Sequence, residues 1–151
     1  MVDVREDILA RLLELVATIP NIKTAVRGNI DLTPEHLPAA IVLDGDEETN
    51  DVSDLSMRPP HRPTSVQMTP EIILVESEVG EIVDIGTLRR EMIRLVLYDT
   101  ELNEQIVKTG RNGNGAIRYL GCQTDVGWMR SLHGALRAQF LFKYTLNPAD
   151  L

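Results

Sequence analysis

Apolar residues recur at helical spacing in two long stretches and one short stretch of the chain. In residues 3–18 they follow one another at three- and four-residue steps, which predicts an amphipathic helix packed on an apolar surface. Asp3 and Glu6 resemble a capping box at its start, and Pro20 provides the stop. Residues 85–98 have the same spacing, with Asp84 or Thr87 as the cap, and residues 100–108 can add a short helix. The predicted buried positions of the two main helices are Val4, Ile8, Leu12, Leu15, Ile19, Ile85, Leu88, Met92, Leu95 and Val96.

Five further runs predict β-strands, at residues 22–27, 39–43, 65–77, 116–123 and 138–146. The last run alternates apolar and polar residues regularly, so one of its faces is expected to belong to the core. The third run is apolar on both faces, which predicts a central strand, although Pro70 interrupts it. This order of elements favours a single α+β domain over residues 1–151, with a mainly antiparallel sheet of about five strands, two main helices on one face and a long polar loop.

A long polar segment separates the second and third predicted strands. Residues 44–63 read DGDEETNDVSDLSMRPPHRP, and so long a loop in a small domain is usually functional or disordered. The prolines in its second half stiffen the chain and could present the neighbouring arginines to a partner, while a plain linker explains the same residues. We predict a flexible loop at about residues 45–64 that contacts another protein through Glu47, Glu48, Asp51, Asp54, Arg58, His61 and Arg62.

The net charge of −8 is unevenly distributed along the sequence. Residues 1–104 contain nine Lys and Arg against twenty-one Asp and Glu, whereas residues 105–144 contain six against one. A strongly acidic surface argues against ordinary DNA binding, because that binding depends on neutralising phosphates. Solubility alone explains the acidic charge equally well. The second helix holds three arginines close together, and we expect Arg89, Arg90 and Arg94 to face an acidic neighbour.

The residues that could carry chemistry form no recognisable catalytic or metal-binding pattern. The single cysteine excludes an intrachain disulfide and a multi-cysteine zinc site, and Cys122, in its apolar strand, is expected to be a core residue. The acidic run after residue 43 lacks the Gly and Glu of a calcium loop, and the three histidines lack ligand spacing. Ser65 and Ser131 have no nucleophile-elbow context, which disfavours a hydrolase. We therefore expect a protein that is not an enzyme and that has no cofactor and no metal.

Two further features concern contacts and location. Trp128 and Arg130 lie in a predicted connection between the last two strands, and these residue types are enriched at interface centres. A tryptophan folded back over the sheet edge is the alternative for Trp128. The first residues lack the basic start and apolar run of a secretory signal, and the apolar runs are too short to cross a bilayer. A cytosolic protein is expected.

Five segments of the chain together resemble the tail terminator proteins of long-tailed bacteriophages and related gene transfer particles. They are the opening REDILARLLELVATIPNIKTAVRGN, then LPAAIVLDGDEE before the polar insert, MTPEIILV, LRREMIRLVLYDTEL and the closing strand that contains a tyrosine. The similarity spans nearly the whole chain and lies in the order and texture of these segments, since the family has no short catalytic signature.

The resemblance implies a virion structural protein of the tail neck, assembled in the host cytoplasm. Such a subunit would form a homo-hexameric ring at the head-proximal end of the tail tube, end tube polymerisation and provide the head–tail joining surface. Its implied partners are copies of itself, the tail tube protein and the head–tail connector protein, with no membrane involved. DNA would pass through the ring without sequence-specific binding. The alternatives are another neck protein, such as a head-closure or tail-completion adaptor, a monomeric protein-binding adaptor, or a small hydrolase.

A ring also sets a requirement that the charge distribution meets. Each subunit of a ring needs two different patches, one of which contacts the other patch on the next subunit. An acidic front half and a basic back segment of the chain can supply two such patches.

Overall fold

The computed structural model describes residues 3–28, 32–49, 64–76, 85–109, 116–126 and 134–148. These residues form helices and a five-stranded sheet, so the predicted α+β class is confirmed. The helices are α1 (Val4–Ala17), α2 (Ile85–Tyr98) and α3 (Thr100–Thr109), and Pro34–His36 form a 3-10 turn. The strands are β1 (Thr24–Arg27), β2 (Ala39–Thr49), β3 (Thr64–Val75), β4 (Ala116–Val126) and β5 (Gly134–Leu146).

The strands lie in the order β1-β2-β3-β5-β4, with β3 in the centre as its two apolar faces predict. Three of the four strand pairs are antiparallel, and β1 pairs with β2 in parallel, so the sheet is mixed. The prediction that Pro70 interrupts the third strand is wrong, because β3 is continuous from Thr64 to Val75. The ladder of β3 with β2 instead passes over Pro70 at a bulge between Leu43 and Asp46 of β2.

All three helices pack on one face of this sheet. Helix α1 contacts β1 and β2, whereas α2 contacts β3, β4 and β5, and α3 contacts β4 and β5. Asp3 caps α1 by accepting hydrogen bonds from the backbone N–H groups of Arg5 and Glu6. Between helices and sheet lies a continuous core, and each fully buried large apolar side chain in it contributes about 1.5–3 kcal/mol. The core includes Ile8, Leu9, Leu12, Ile72, Leu74, Leu88, Met92, Val96, Phe140, Phe142 and Tyr144.

The opposite face of the sheet is covered at one end only, as far as the described residues show. There Leu32 and Leu37, which flank the 3-10 turn, pack over Ile41, Ile73 and neighbouring small residues. Further along the strands this face carries polar side chains, and we call it the open face.

Strand β2 is longer than its apolar residues predict, which corrects the boundary of the polar loop. Residues 44–49 belong to the strand and pair with β3, with Asp46 beside Thr69 and Thr49 beside Val66. The expectation that Glu47 and Glu48 lie in a loop is therefore wrong. Pairing with β3 satisfies the backbone hydrogen bonds of one side of this segment, so its exposed polar side chains do not prevent strand formation.

Candidate functional site

Helix α2 presents a row of exposed residues on the side away from the core. Leu88, Met92 and Val96 form its buried face, which leaves Arg90, Arg94 and Tyr98 exposed. These three residues follow one another at four-residue steps, so they lie in one line along the helix. Tyr98 is 81% exposed, which is unusual for a large aromatic side chain. We call Arg90, Arg94 and Tyr98 the outer stripe.

The charges of the outer stripe have no acidic partner among the described residues. Within the described ranges, Arg90 forms a hydrogen bond to the hydroxyl of Thr87, at 3.5 Å. No described carboxylate forms a salt bridge with Arg90 or Arg94. A shallow hollow of about 230 Å³ lies beside Arg94 and Tyr98. Arg and Tyr dominate the energetic centres of protein interfaces, and this arrangement has the composition of a docking surface.

Arg89, the third predicted arginine, lies elsewhere. Its guanidinium lies over the ring of Tyr119 on β4, 5.5 Å from the ring centroid, in cation–π geometry. The ring of Tyr119 in turn packs against Phe140, with 5.5 Å between the two ring centroids. Within the described part of the chain, Arg89 therefore lies over β4, beside Tyr119 and Cys122, and apart from the outer stripe.

Cys122 is exposed, so the prediction that it is a core residue is wrong. The physical reason is its position on β4, which is an edge strand with few neighbours to cover it. The pKa of the Cys122 thiol is lowered, chiefly by Tyr119 and further by Arg89, because both can donate a hydrogen bond to the thiolate.

The far half of β2, residues 45–49, is acidic and exposed, and we call it the arm. Asp46, Glu47 and Glu48 are all exposed, and β1 pairs only with Ala39–Val42, so the outer edge of residues 43–49 has no strand partner among the described residues. Glu47 faces the helix side and accepts a hydrogen bond from the buried hydroxyl of Tyr144. Burial, reinforced by Glu47, raises the pKa of Tyr144 well above its usual range.

The acids closer to the core are paired, in contrast to those of the arm. Arg27 donates two hydrogen bonds to Asp44, at 2.9 and 3.0 Å, and two to Glu6, at 2.8 and 3.1 Å. Arg5 adds weaker contacts to both carboxylates, at 3.2 and 3.4 Å. These bonds, mainly those from Arg27, lower the pKa of Glu6 and of Asp44. We call Arg5, Glu6, Arg27 and Asp44 the paired cluster; it joins α1 to β1 and β2.

The open face carries basic residues at the opposite side of the sheet. Arg118 on β4 is exposed, and on β5 Arg137 and Lys143 are partly exposed. Arg137 lies 3.5 Å from Glu71, beside a shallow hollow of about 270 Å³. Exposed acidic charge therefore lies at the β2 side of the sheet, and basic charge lies at the β4 and β5 side.

Other predicted site residues lie outside the described residues, namely Asp51, Asp54, Arg58, His61, Arg62, Trp128 and Arg130. Across the described ranges, no group of three or more His, Cys, Asp or Glu has the geometry to hold a metal ion. In the same ranges, no helix is long and apolar enough to cross a membrane.

The sequence alone indicated two of the three residues of the outer stripe. Tyr98 escaped notice because exposure is not visible in an apolar pattern, although its four-residue spacing from Arg94 is a signal that could have identified it. Asp46 and Arg118 belong to exposed strand edges, and only the order of the strands reveals those edges. The described arrangement exposes charged and aromatic side chains.

No protein-family model matches the chain, and no match is found among curated proteins.

Proposed function

We propose that the protein is a structural subunit that assembles with copies of itself into a closed ring. One observation carries the proposal: exposed charges of opposite sign, without an ion-pair partner among the described residues, lie at the two sides of one sheet. Asp46 and Glu48 are exposed at the β2 side, and Arg118 is exposed at the β4 side. A contact between two different patches of identical subunits repeats from copy to copy and closes when the rotation allows it.

The resemblance to tail terminator proteins indicates where such a ring would act. In this function the ring lies at the head-proximal end of a phage tail tube, ends tube polymerisation and provides the surface for the head–tail connector protein. The outer stripe on α2 supplies an anchor for an acidic neighbour, since Arg90 and Arg94 have no described acidic partner and Tyr98 is exposed. Its role is that of shape and charge, with no bond of a substrate made or broken.

Charge reversal on the outer stripe tests whether this surface takes part in the ring. The double variant Arg90→Glu/Arg94→Glu should keep the fold, because both side chains are exposed, and should raise the concentration needed for half-assembly at least tenfold. Sedimentation velocity across a concentration series measures this directly. The matched control is Lys23→Glu, which also reverses an exposed basic charge but lies before β1, away from α2. Assembly that is equally affected by both variants, or by neither, would count against the stripe.

Another neck protein remains the competing assignment, because it would form a similar ring. Negative-stain microscopy of the protein mixed with tail tubes distinguishes the two. A terminator should occupy one end of the tube and stop its growth, whereas a connector-side adaptor should leave the tube ends free.

A further inference from the structure

Three strand edges of the sheet have no strand partner among the described residues: the outer edge of the short strand β1, that of β4 and that of residues 43–49 of β2, and the last two are the long ones. Strand β4 pairs with β5 on one side only, and residues 43–49 of β2 pair with β3 on one side only. The exposed residues of these two long edges are 45–49 of β2 and five of residues 117–124 of β4. An unpaired edge presents a row of N–H and C=O groups that can pair with another strand.

The two edges lie at the same level of the sheet. Asp46 pairs with Thr69 on β3. Met68, the neighbour of Thr69, pairs with Phe142 on β5. Leu141, the neighbour of Phe142, pairs with Arg118 on β4. A single row across the sheet therefore begins near Asp46 and ends near Arg118.

Strand directions are also compatible with pairing between copies. Strand β3 is antiparallel to β2, β5 is antiparallel to β3, and β4 is antiparallel to β5, so β4 and β2 run in opposite directions. Rotation about an axis along the strands leaves these directions unchanged. The β2 edge of the next copy would then run antiparallel to β4, and the helices of both copies would lie on the same side.

Charge selects this pairing over the alternatives. Two β2 arms side by side would bring Asp46 and Glu48 against acids of the same kind, and two β4 edges would bring Arg118 against Arg118. Like charges opposite one another destabilise a strand pair, and opposite charges stabilise it by about 0.2–1 kcal/mol. Charged edge residues protect natural sheets from random pairing. Of the three pairings compared, only that of β2 with β4 places opposite charges side by side.

We propose that residues 43–49 of one copy pair antiparallel with the first half of β4 of the next copy, with Asp46 beside Arg118. The inference rests on the proposed ring and specifies its contact as a continuous sheet between subunits. The row through Asp46 and Arg118 sets the register, and a contact of this kind joins two different edges, so it can repeat around a ring.

Disulfide trapping tests the pairing. In a Cys122→Ser background, a chain with Asp46→Cys is mixed with a chain with Arg118→Cys under mild oxidation. Directly opposite residues of an antiparallel pair have Cβ atoms about 4.5–5.5 Å apart, close enough for a disulfide after small adjustment. We expect the mixed dimer to form at least tenfold faster than either homodimer. The control replaces Asp46→Cys by Glu14→Cys, also at an exposed acid but on α1, and should show no such preference.

Exchange of the two charges provides a second readout. Asp46→Arg or Arg118→Asp alone should weaken assembly, and the double variant Asp46→Arg/Arg118→Asp in one chain should restore it. Both positions are exposed, so circular dichroism should show an intact fold in each variant.

The outcomes separate this inference from the proposed function. Rings that assemble normally while the mixed pair traps no faster than the control overturn the edge pairing and leave the ring intact. Specific trapping between Asp46→Cys and Arg118→Cys in an open-ended ladder supports the pairing and contradicts a closed ring. A protein that neither traps nor sediments as more than a monomer contradicts both.

Discussion

The paired cluster and the outer stripe use the same kind of side chain in opposite ways. Arg27 makes four hydrogen bonds to the carboxylates of Glu6 and Asp44, whereas Arg90 and Arg94 have no carboxylate partner among the described residues. The first arginine joins helix α1 to the sheet. The other two are exposed and have no acidic partner in the described part of the chain, so the arrangement of partners, more than the number of charges, separates the two kinds of arginine.

The largest loss of stability is expected from a change at Gly45, which lies between Asp44 of the paired cluster and the exposed Asp46. Gly45 has φ +68°, and a Cβ there would lie 1.9 Å from the carbonyl oxygen of Thr69. Its bulge directs Asp44 into the paired cluster and Asp46 to the open face. Gly45→Ala should therefore lower the free energy of unfolding by about 3 kcal/mol, from left-handed strain and steric overlap together.

A matched glycine shows how much of that loss comes from the overlap. Gly28 also has a positive φ, of +86°, but a Cβ added there would have nothing within 4 Å. Gly28→Ala should cost only about 1 kcal/mol, from backbone strain alone. Urea denaturation of both variants measures the difference, and equal losses would show that the contact with Thr69 is unimportant.

The more buried ion pair should have the next largest effect. Asp99 is 8% exposed and accepts two hydrogen bonds from Arg11, at 2.8 and 3.0 Å. It also caps α3 through the N–H of Leu102. Asp99→Asn keeps the capping ability and removes the charge, so the expected loss of about 2 kcal/mol at pH 7 reports the contact with Arg11.

The pH dependence of this variant has a defined sign. Hydrogen bonding from Arg11 lowers the pKa of Asp99 below its ordinary value of 3.8. A carboxyl group whose pKa is lower in the folded state than in the unfolded chain stabilises the fold at pH values above its unfolded pKa. That stabilisation is lost as the pH falls through its folded pKa. The difference between wild type and Asp99→Asn should thus be constant near neutrality and shrink below about pH 4. A difference that grows in acid would contradict the assignment.

A smaller effect on stability is expected from the paired cluster itself, because its side chains are 27–46% exposed. Arg27→Met should cost about 1 kcal/mol, since solvent screens the two bidentate contacts. Arg94→Met is the matched change at an unpaired arginine, and it should alter the free energy of unfolding by less than about 0.5 kcal/mol. Equal stability losses for the two variants would remove the distinction between paired and unpaired arginines.

Truncation of Tyr98 should have the smallest effect on stability and a clear effect on assembly. Tyr98 is 81% exposed, so Tyr98→Ala should change stability by less than about 0.5 kcal/mol. If the ring uses the outer stripe, the same change should raise the concentration for half-assembly about tenfold or more, because buried tyrosines are frequent interface anchors. Tyr98→Phe is the control, since it keeps the ring of the side chain. Sedimentation velocity and thermal unfolding on the same samples test both parts.

The sequence predicts those parts of the fold that have a repeating apolar pattern. Helix α1 ends within a residue of its predicted limits, α2 matches residues 85–98, and the two apolar faces of β3 correctly indicate its central place. Periodicity works here because one face of each element meets a single continuous core.

The parts that the sequence does not predict depend on tertiary neighbours. Residues 44–49 have no apolar period, because the arm is exposed and becomes a strand only through its pairing with β3. Cys122 is exposed because β4 lies at the sheet edge, a property of strand order. The paired cluster joins Glu6, Arg27 and Asp44, which are far apart in the chain and carry no common motif.

Native mass spectrometry over a range of protein concentrations and salt measures whether copies of this molecule join into a closed ring, as we propose. We predict one dominant closed species, six copies in the case that the tail terminator resemblance implies, which weakens as salt screens the contact between Asp46 and Arg118. A protein that remains monomeric at every concentration, or grows without a fixed stoichiometry, would contradict it.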